Sequence, residues 1–141
     1  MNDLSVTAAL AAAPFPLVAT DTGSAVAAAA GHLLPPLDRG QRIDAAMLRA
    51  AMEDAFGASD ASGAWDWKTA YDAGEAATVL FLRNYGKALL RKAGSPAAAL
   101  PMLARIASVL PTHTRRSEES ETFQQFSTPI PLGFAAATAA A

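Results

Sequence analysis

The residues with the clearest chemical potential form the short run Phe126-Ser127-Thr128-Pro129, which is followed by an apolar stretch that predicts a helix. Proline suits the first position of a helix, because an amide there would have no hydrogen-bond partner within the helix. The first turn also has free backbone amides and the positive end of the helix dipole. The Thr128 hydroxyl and these amides can therefore donate hydrogen bonds to a carboxylate. The alternative is that Ser127 or Thr128 only caps the helix that Pro129 begins.

The same run, preceded by Gln124-Gln125, resembles the (aromatic)-x-Thr-Pro element that precedes the cofactor domain of adenine-specific, S-adenosylmethionine-dependent DNA methyltransferases. Together with residues 110–120 it is similar, more narrowly, to the N-terminal region of large bacterial strawberry notch-like proteins. In these proteins a methyltransferase-like domain is joined to a superfamily-two helicase-like NTPase. Residues 55–67 are similar to the helical leader of that family. The resemblance as a whole covers residues 51–141.

This resemblance implies that Phe126, Ser127, Thr128 and Pro129 lie next to S-adenosylmethionine, and that ATP binds in a region beyond this sequence. It also implies that DNA is a partner, mostly through other parts of the protein. The sequence has no glycine-rich cofactor turn, no Asn/Asp-Pro-Pro-aromatic catalytic loop and no Walker-type loop. We therefore expect an N-terminal fragment that has no catalytic residue, does not methylate DNA by itself and pairs with the remainder of its own polypeptide.

Two other functions stay open. The run Thr128-Pro129-Ile130 also resembles the adenine-sensing element of superfamily-two helicase-like NTPases, but that element needs a glutamine shortly afterwards, where Pro131 and Leu132 occur here. The third possibility is a helical interaction module that docks on a partner protein.

Arg115 and Arg116 are the candidate contacts to nucleic acid. They lie in the polar run 112–121, which has no apolar stripe and is typical of a solvated loop. The two guanidinium groups can bind phosphate, or they can pair with the glutamates that follow them. Those glutamates lower the local positive field, so that both interpretations stay open.

Composition and charge exclude several classes of function. The formal net charge of −2 gives no overall attraction to nucleic acid. There is no cysteine, which excludes disulfides and thiolate metal sites and fits a reducing cytoplasm. The two histidines, His32 and His113, are far apart and have no ligand-like neighbours, so that we expect no metal site.

The amino-terminal residues 1–20 are alanine-rich but have no basic residue, so that they do not fit a secretory signal. Pro14 and Pro16 interrupt the apolar run well before the ~20 residues of a membrane span. We expect a disordered leader and no membrane association.

The rest of the chain predicts a mainly α-helical fold, a small bundle. Apolar residues recur at steps of three and four, and no stretch alternates with a period of two. Asp44 and Ser95 are expected N-caps, and Gly57 and Gly94 are expected C-terminal stops. Pro35 and Pro36 predict a loop. The predicted helices are residues 25–34, 45–56, 66–93 and 96–110, with the long helix packed against the second and the last. Residues 21–110 are the predicted helical domain, and residues 111–141 the linker and a loosely ordered segment whose helix from Leu132 leads into a Rossmann-like domain.

Overall fold

All of the regular structure in the computed structural model is helical. The structure describes residues 21–111 and 128–141, and no strand occurs in those two ranges. The elements along the chain are α1 (Thr22–Asp38), α2 (Ala45–Phe56), a single 3₁₀ turn (Asp60–Ser62), α3 (Trp67–Ala93), α4 (Pro96–Ser108) and α5 (Ile130–Ala140). The prediction of a mainly α-helical fold is confirmed. The predicted leader, residues 1–20, and residues 112–127 of the predicted linker lie outside the described residues.

The predicted caps hold α2, α3 and α4 at their ends. The Asp44 carboxylate accepts a hydrogen bond of 2.8 Å from the amide three residues later, and the Ser95 hydroxyl accepts one of 3.2 Å in the same way. Pro96 takes the first turn of α4, where its missing amide costs nothing. Gly57 and Gly94 both have left-handed backbone angles and end α2 and α3. These predictions are confirmed.

The prediction that Pro35 and Pro36 form a loop is wrong, because α1 continues through both of them. A proline inside a helix removes one hydrogen bond and costs about 3 kcal/mol. The cost is offset here because Pro36 and Leu37 are buried in the core, and the helix must continue to place them there. Gly40 is the actual stop: it has a φ of +65°, and its amide donates to the Leu37 carbonyl at 2.9 Å.

The hydrophobic core lies between α1, α2 and the first half of α3. The most extensive contact between helices is that of α1 with α3, whereas the sequence predicted only α2 and α4 as partners of the long helix. Most of the core side chains are small or medium in size. The buried residues of the core are Ala29, Ala30, Leu33, Leu37, Ile43, Leu48, Ala51, Met52, Trp65, Ala70, Ala73 and Ala77.

The last two helices attach to one side of this core. The α4 helix packs against the second half of α3 and buries Ala99 and Leu103. It ends two residues earlier than predicted, and the carbonyl of its C-cap, Val109, accepts a hydrogen bond of 2.7 Å from the Ile43 amide. The α5 helix contacts α4 and buries none of its own side chains. The predicted helix from Leu132 therefore exists and begins two residues earlier.

The assigned core predicts that substituting two leucines, one buried and one exposed, changes the free energy of unfolding by very different amounts. Leu33 is 1% exposed and Leu90 is 40% exposed. Leu33→Ala leaves a cavity between α1 and α3, and we expect it to lower the free energy of unfolding by about 2–5 kcal/mol. Leu90→Ala deletes the same atoms at the surface, and we expect a loss of less than about 1 kcal/mol. Urea denaturation followed by circular dichroism measures both values. Equal losses would contradict the assigned core.

Candidate functional site

The helix that follows the predicted cofactor motif begins at Ile130. The prediction that Pro129 takes the first helical position is therefore wrong. Pro129 is the N-cap residue, because its ψ of 137° is extended and the helix can begin only after it. Its carbonyl accepts hydrogen bonds of 3.0 Å from the amides of both Leu132 and Gly133. Pro131 then occupies the second helical position, where proline is tolerated.

The two prolines reduce the number of amides that the start of α5 can offer to a ligand. Pro129 and Pro131 have no amide hydrogen, and the Leu132 amide already donates to Pro129. The Ile130 amide is the donor in this turn that has no partner among the described residues. A carboxylate here would therefore meet one backbone donor, the helix dipole and the neighbouring Thr128 hydroxyl.

Thr128 lies beside this turn and is exposed to solvent. Its methyl carbon is 3.8 Å from the point where a side chain on Gly133 would begin, so that the side chain lies along the helix. Its hydroxyl forms no hydrogen bond with the described residues, and the prediction that Thr128 caps the helix is wrong. The other predicted contacts (Phe126, Ser127, Arg115 and Arg116) lie outside the described residues and stay predictions.

The α5 helix is a surface helix without a polar face. It has no charged residue in its sequence, IPLGFAAATAA, and none of its side chains is buried. Leu132 is 63% exposed, and Phe134 is half-buried. A helix that is apolar on all sides normally lies inside a protein or against a partner. The exposed apolar surface of α5 is therefore a candidate interface.

A second apolar surface lies between α3 and α4, and we call it the α3–α4 groove. Its larger part has a volume of about 380 Å³, and a smaller part of about 170 Å³ continues it toward the end of α1. The larger part is lined by Phe81, Tyr85, Ala88, Leu89, Lys92, Met102, Arg105 and Ile106. The rings of Phe81 and Tyr85 contact each other at 4.9 Å between centroids. Tyr85 is 42% exposed and lies outside the core.

Charge is divided unevenly between the two ends of the bundle. Residues 21–75 contain nine acidic and four basic side chains, whereas residues 76–111 contain no acidic side chain. The basic residues of the second range are Arg83, Lys87, Arg91, Lys92 and Arg105, and all five are exposed. The α3–α4 groove therefore lies in the positive part of a chain whose net charge is negative.

The tryptophans at the start of α3 hold the preceding loop. The Trp65 indole is buried and donates a hydrogen bond of 2.8 Å to the Ala58 carbonyl. The Arg49 guanidinium lies 5.3 Å from the centre of the Trp67 ring and bonds to the Asp60 carboxylate at 3.0 Å. These contacts explain both rings structurally.

Asp66 caps α3 with an ionised carboxylate. The Thr69 hydroxyl donates to it at 2.6 Å and the Thr69 amide at 2.7 Å. Both bonds favour the charged form, and they hold the pKa of Asp66 below its usual value.

Within residues 21–111 and 128–141, no group of three or more histidine and carboxylate side chains is placed to hold a metal ion. No helix in the same two ranges is both long enough and apolar enough to cross a membrane.

Comparison of the chain with models of protein families, with curated proteins and with solved structures finds no significant match. The motif at Thr128 and the two apolar surfaces are therefore the features that bear on function.

The spacing of apolar residues in α3 did not reveal the groove, although other features of the sequence indicated it. Phe81, Tyr85 and Leu89 follow the same spacing as the core residues of α3, so that the pattern alone does not distinguish them from buried residues. However, α3 has 27 residues and α1 has 17, and the core ends where α1 ends. The complete absence of acidic residues from 76 to 117 is the second signal.

The ionised cap predicts a dependence of stability on pH. Because folding lowers the pKa of Asp66, its charged form stabilises the fold above the unfolded pKa of about 4. That contribution is lost as the pH falls through the lower, folded pKa. We expect the wild-type protein to be more stable than Asp66→Asn at neutral pH, by less than about 1 kcal/mol because the site is mostly exposed. The difference should shrink below about pH 5.

The free energy of unfolding, measured by urea denaturation across this pH range, checks this prediction. Asp54→Asn changes an exposed carboxylate on α2 that has no hydrogen bond with the described residues, and it serves as the control. A difference for Asp66→Asn that stays constant with pH would contradict the assigned cap.

Proposed function

We propose that this chain is the helical N-terminal region of an S-adenosylmethionine-dependent DNA adenine methyltransferase joined to a helicase-like NTPase. In this proposal the Phe126-Ser127-Thr128-Pro129 run is a cofactor-side element, and α5 packs against the methyltransferase domain. The catalytic residues belong to the remainder of the polypeptide. DNA is the macromolecular partner, mostly through that remainder, with Arg115 and Arg116 as further candidate contacts.

The observation that carries this proposal is the uncharged, exposed helix α5 directly after the motif. Burying an apolar side chain such as Leu132 stabilises a protein by about 1.5–3 kcal/mol, and α5 gains little of this in the described residues. Methyltransferase domains of the Rossmann-like class have a sheet with helices on both faces. A helix that is apolar on all sides fits a layer of such a domain better than it fits a protein surface.

The start of α5 supports a modest role in cofactor binding. The start of α5 offers one amide, at Ile130, and one exposed hydroxyl, at Thr128, as donors for a carboxylate. Two hydrogen bonds to a charged group contribute about 1.5–3 kcal/mol each. The site therefore needs further donors from the rest of the protein to bind the methionine part of S-adenosylmethionine.

The helical interaction module is the second candidate function, and the exposed α5 surface and the α3–α4 groove favour it. Such a module needs no cofactor. The NTPase alternative predicts that binding of ATP, and not binding of S-adenosylmethionine, depends on Thr128. Ligand binding therefore separates the three possibilities.

The decisive experiment measures binding of S-adenosylmethionine and ATP, by calorimetry, to the protein encoded by the complete gene. We expect Thr128→Ala to weaken S-adenosylmethionine binding about tenfold, because a hydrogen bond to a charged group is lost. ATP binding should stay unchanged. Thr138→Ala, which removes a hydroxyl bonded only within α5 at 2.9 Å, is the matched control and should change neither ligand.

Two results would contradict the proposal. If ATP binding alone depends on Thr128, the adenine-sensing alternative is supported. If the protein binds neither ligand, the interaction module is supported.

A further inference from the structure

The α3–α4 groove continues a surface that already holds a helix. Along the first half of α3, Ala70, Ala73 and Ala77 are buried where α1 packs. Phe81 packs against the edge of the core beside the end of α1, and Tyr85 and Ala88 continue the same face from there at steps of four and three. The distance along α3 from Phe81 to Lys92 is about 16 Å, or three helical turns. The groove therefore has the direction and length for a second, short helix.

Two basic side chains line this groove and form no ion pair with the described residues. Lys92 lines it from α3, and Arg105 lines it from α4. The two salt bridges among the described residues involve neither of these side chains. Since residues 76–111 have no acidic side chain, charge complementarity favours an occupant that carries negative charge.

We propose that the α3–α4 groove binds an acidic amphipathic helix of another protein, about three turns long. Its apolar side chains lie on the floor formed by Phe81, Met102 and Ile106, and its carboxylates pair with Lys92 and Arg105. This is the helix-in-groove mode of peptide recognition, in which anchors recur at steps of three and four. The inference does not depend on the methyltransferase proposal.

The shape and polarity of the groove favour a peptide over nucleic acid. Its floor is mainly aliphatic, and its two aromatic rings contact each other at a tilt of 48° instead of standing apart to receive bases. Phosphate groups would also leave the apolar floor uncovered, whereas an amphipathic helix covers floor and edges together. Nucleic acid stays the main competing occupant and is included in the test.

The test uses the full 141-residue chain and a fluorescent synthetic peptide of about 14 residues, near the shortest length for a helix in water. The peptide has leucine at helical spacing on one face and glutamate on the others. A scrambled peptide of identical composition, which has no apolar face, is the first control. A duplex and a single-stranded oligonucleotide of equal net charge are the second. Binding is measured by fluorescence polarisation at physiological salt. We expect the amphipathic peptide to bind, and the scrambled peptide and the two oligonucleotides not to bind.

Variants then locate the binding site. Ile106→Glu places a charge on the groove floor, and we expect it to weaken peptide binding by about tenfold or more. Lys92→Glu and Arg105→Glu should each weaken it by about three- to tenfold, with a smaller effect at high salt. Lys87→Glu and Arg91→Glu make the same charge change on exposed parts of α3 that do not line the groove, and should have little effect. Circular dichroism checks that each variant is folded. If Ile106→Glu does not fold, the substitutions at the exposed residues Lys92 and Arg105 still locate the binding site.

Several outcomes would overturn the proposal. Equal effects of all four charge reversals indicate general attraction to polyanions. Binding of an oligonucleotide instead of the peptide assigns the surface to nucleic acid. A dimer that Ile106→Glu or Lys92→Glu dissociates, with no peptide binding, assigns the groove to a second copy of the chain. Peptide binding that appears only after Glu118, Glu119 and Glu121 are changed to glutamine assigns the groove to the chain's own acidic segment.

Discussion

The contact between α1 and α3 is the constraint on which the rest of the structure depends. It is made largely from alanine, with Ala29 and Ala30 on one helix and Ala70, Ala73 and Ala77 on the other, all fully buried. Small side chains allow two helices to approach closely, because the distance between helix axes depends on the side chains at the contact. An alanine-rich chain can therefore form a core, but each alanine buries little apolar surface. The few large buried side chains, among them Leu33 and Met52, then contribute much of the stability.

The unequal lengths of these two helices explain the unusual surface. The α1 helix covers only the first half of α3, and the second half keeps an apolar face that α4 covers in part. Within residues 21–111, every acidic side chain lies at or before Glu75, whereas the charged side chains of residues 76–111 are all basic. Apolar side chains and like charges on one exposed surface are unfavourable for an isolated bundle, because they neither leave water nor neutralise each other. Both costs disappear when an acidic, apolar partner binds.

Local signals in the sequence predicted the helices well but not their packing. Asp44, Ser95 and Gly57 act within one turn of the helix, so that their roles depend on near neighbours alone. The error at Pro35 and Pro36 arose because burial of distant parts of the chain outweighed a local cost. The error at Pro129 had a local cause, since its extended ψ moved the start of α5 to Ile130. The groove escaped prediction because it depends on where α1 ends against α3, which is a tertiary property.

The position of α4 joins the two uncovered surfaces. One side of α4 forms a wall of the α3–α4 groove, and α5 contacts the same helix. Only Ala99 and Leu103 of α4 are buried, and the bond from Ile43 to Val109 ties its end to the core. A helix with so little buried surface opens locally more easily than the core helices do. A ligand that binds only the closed form stabilises it by mass action. An occupant of the groove would therefore hold α4 in place and, through it, fix the position of α5.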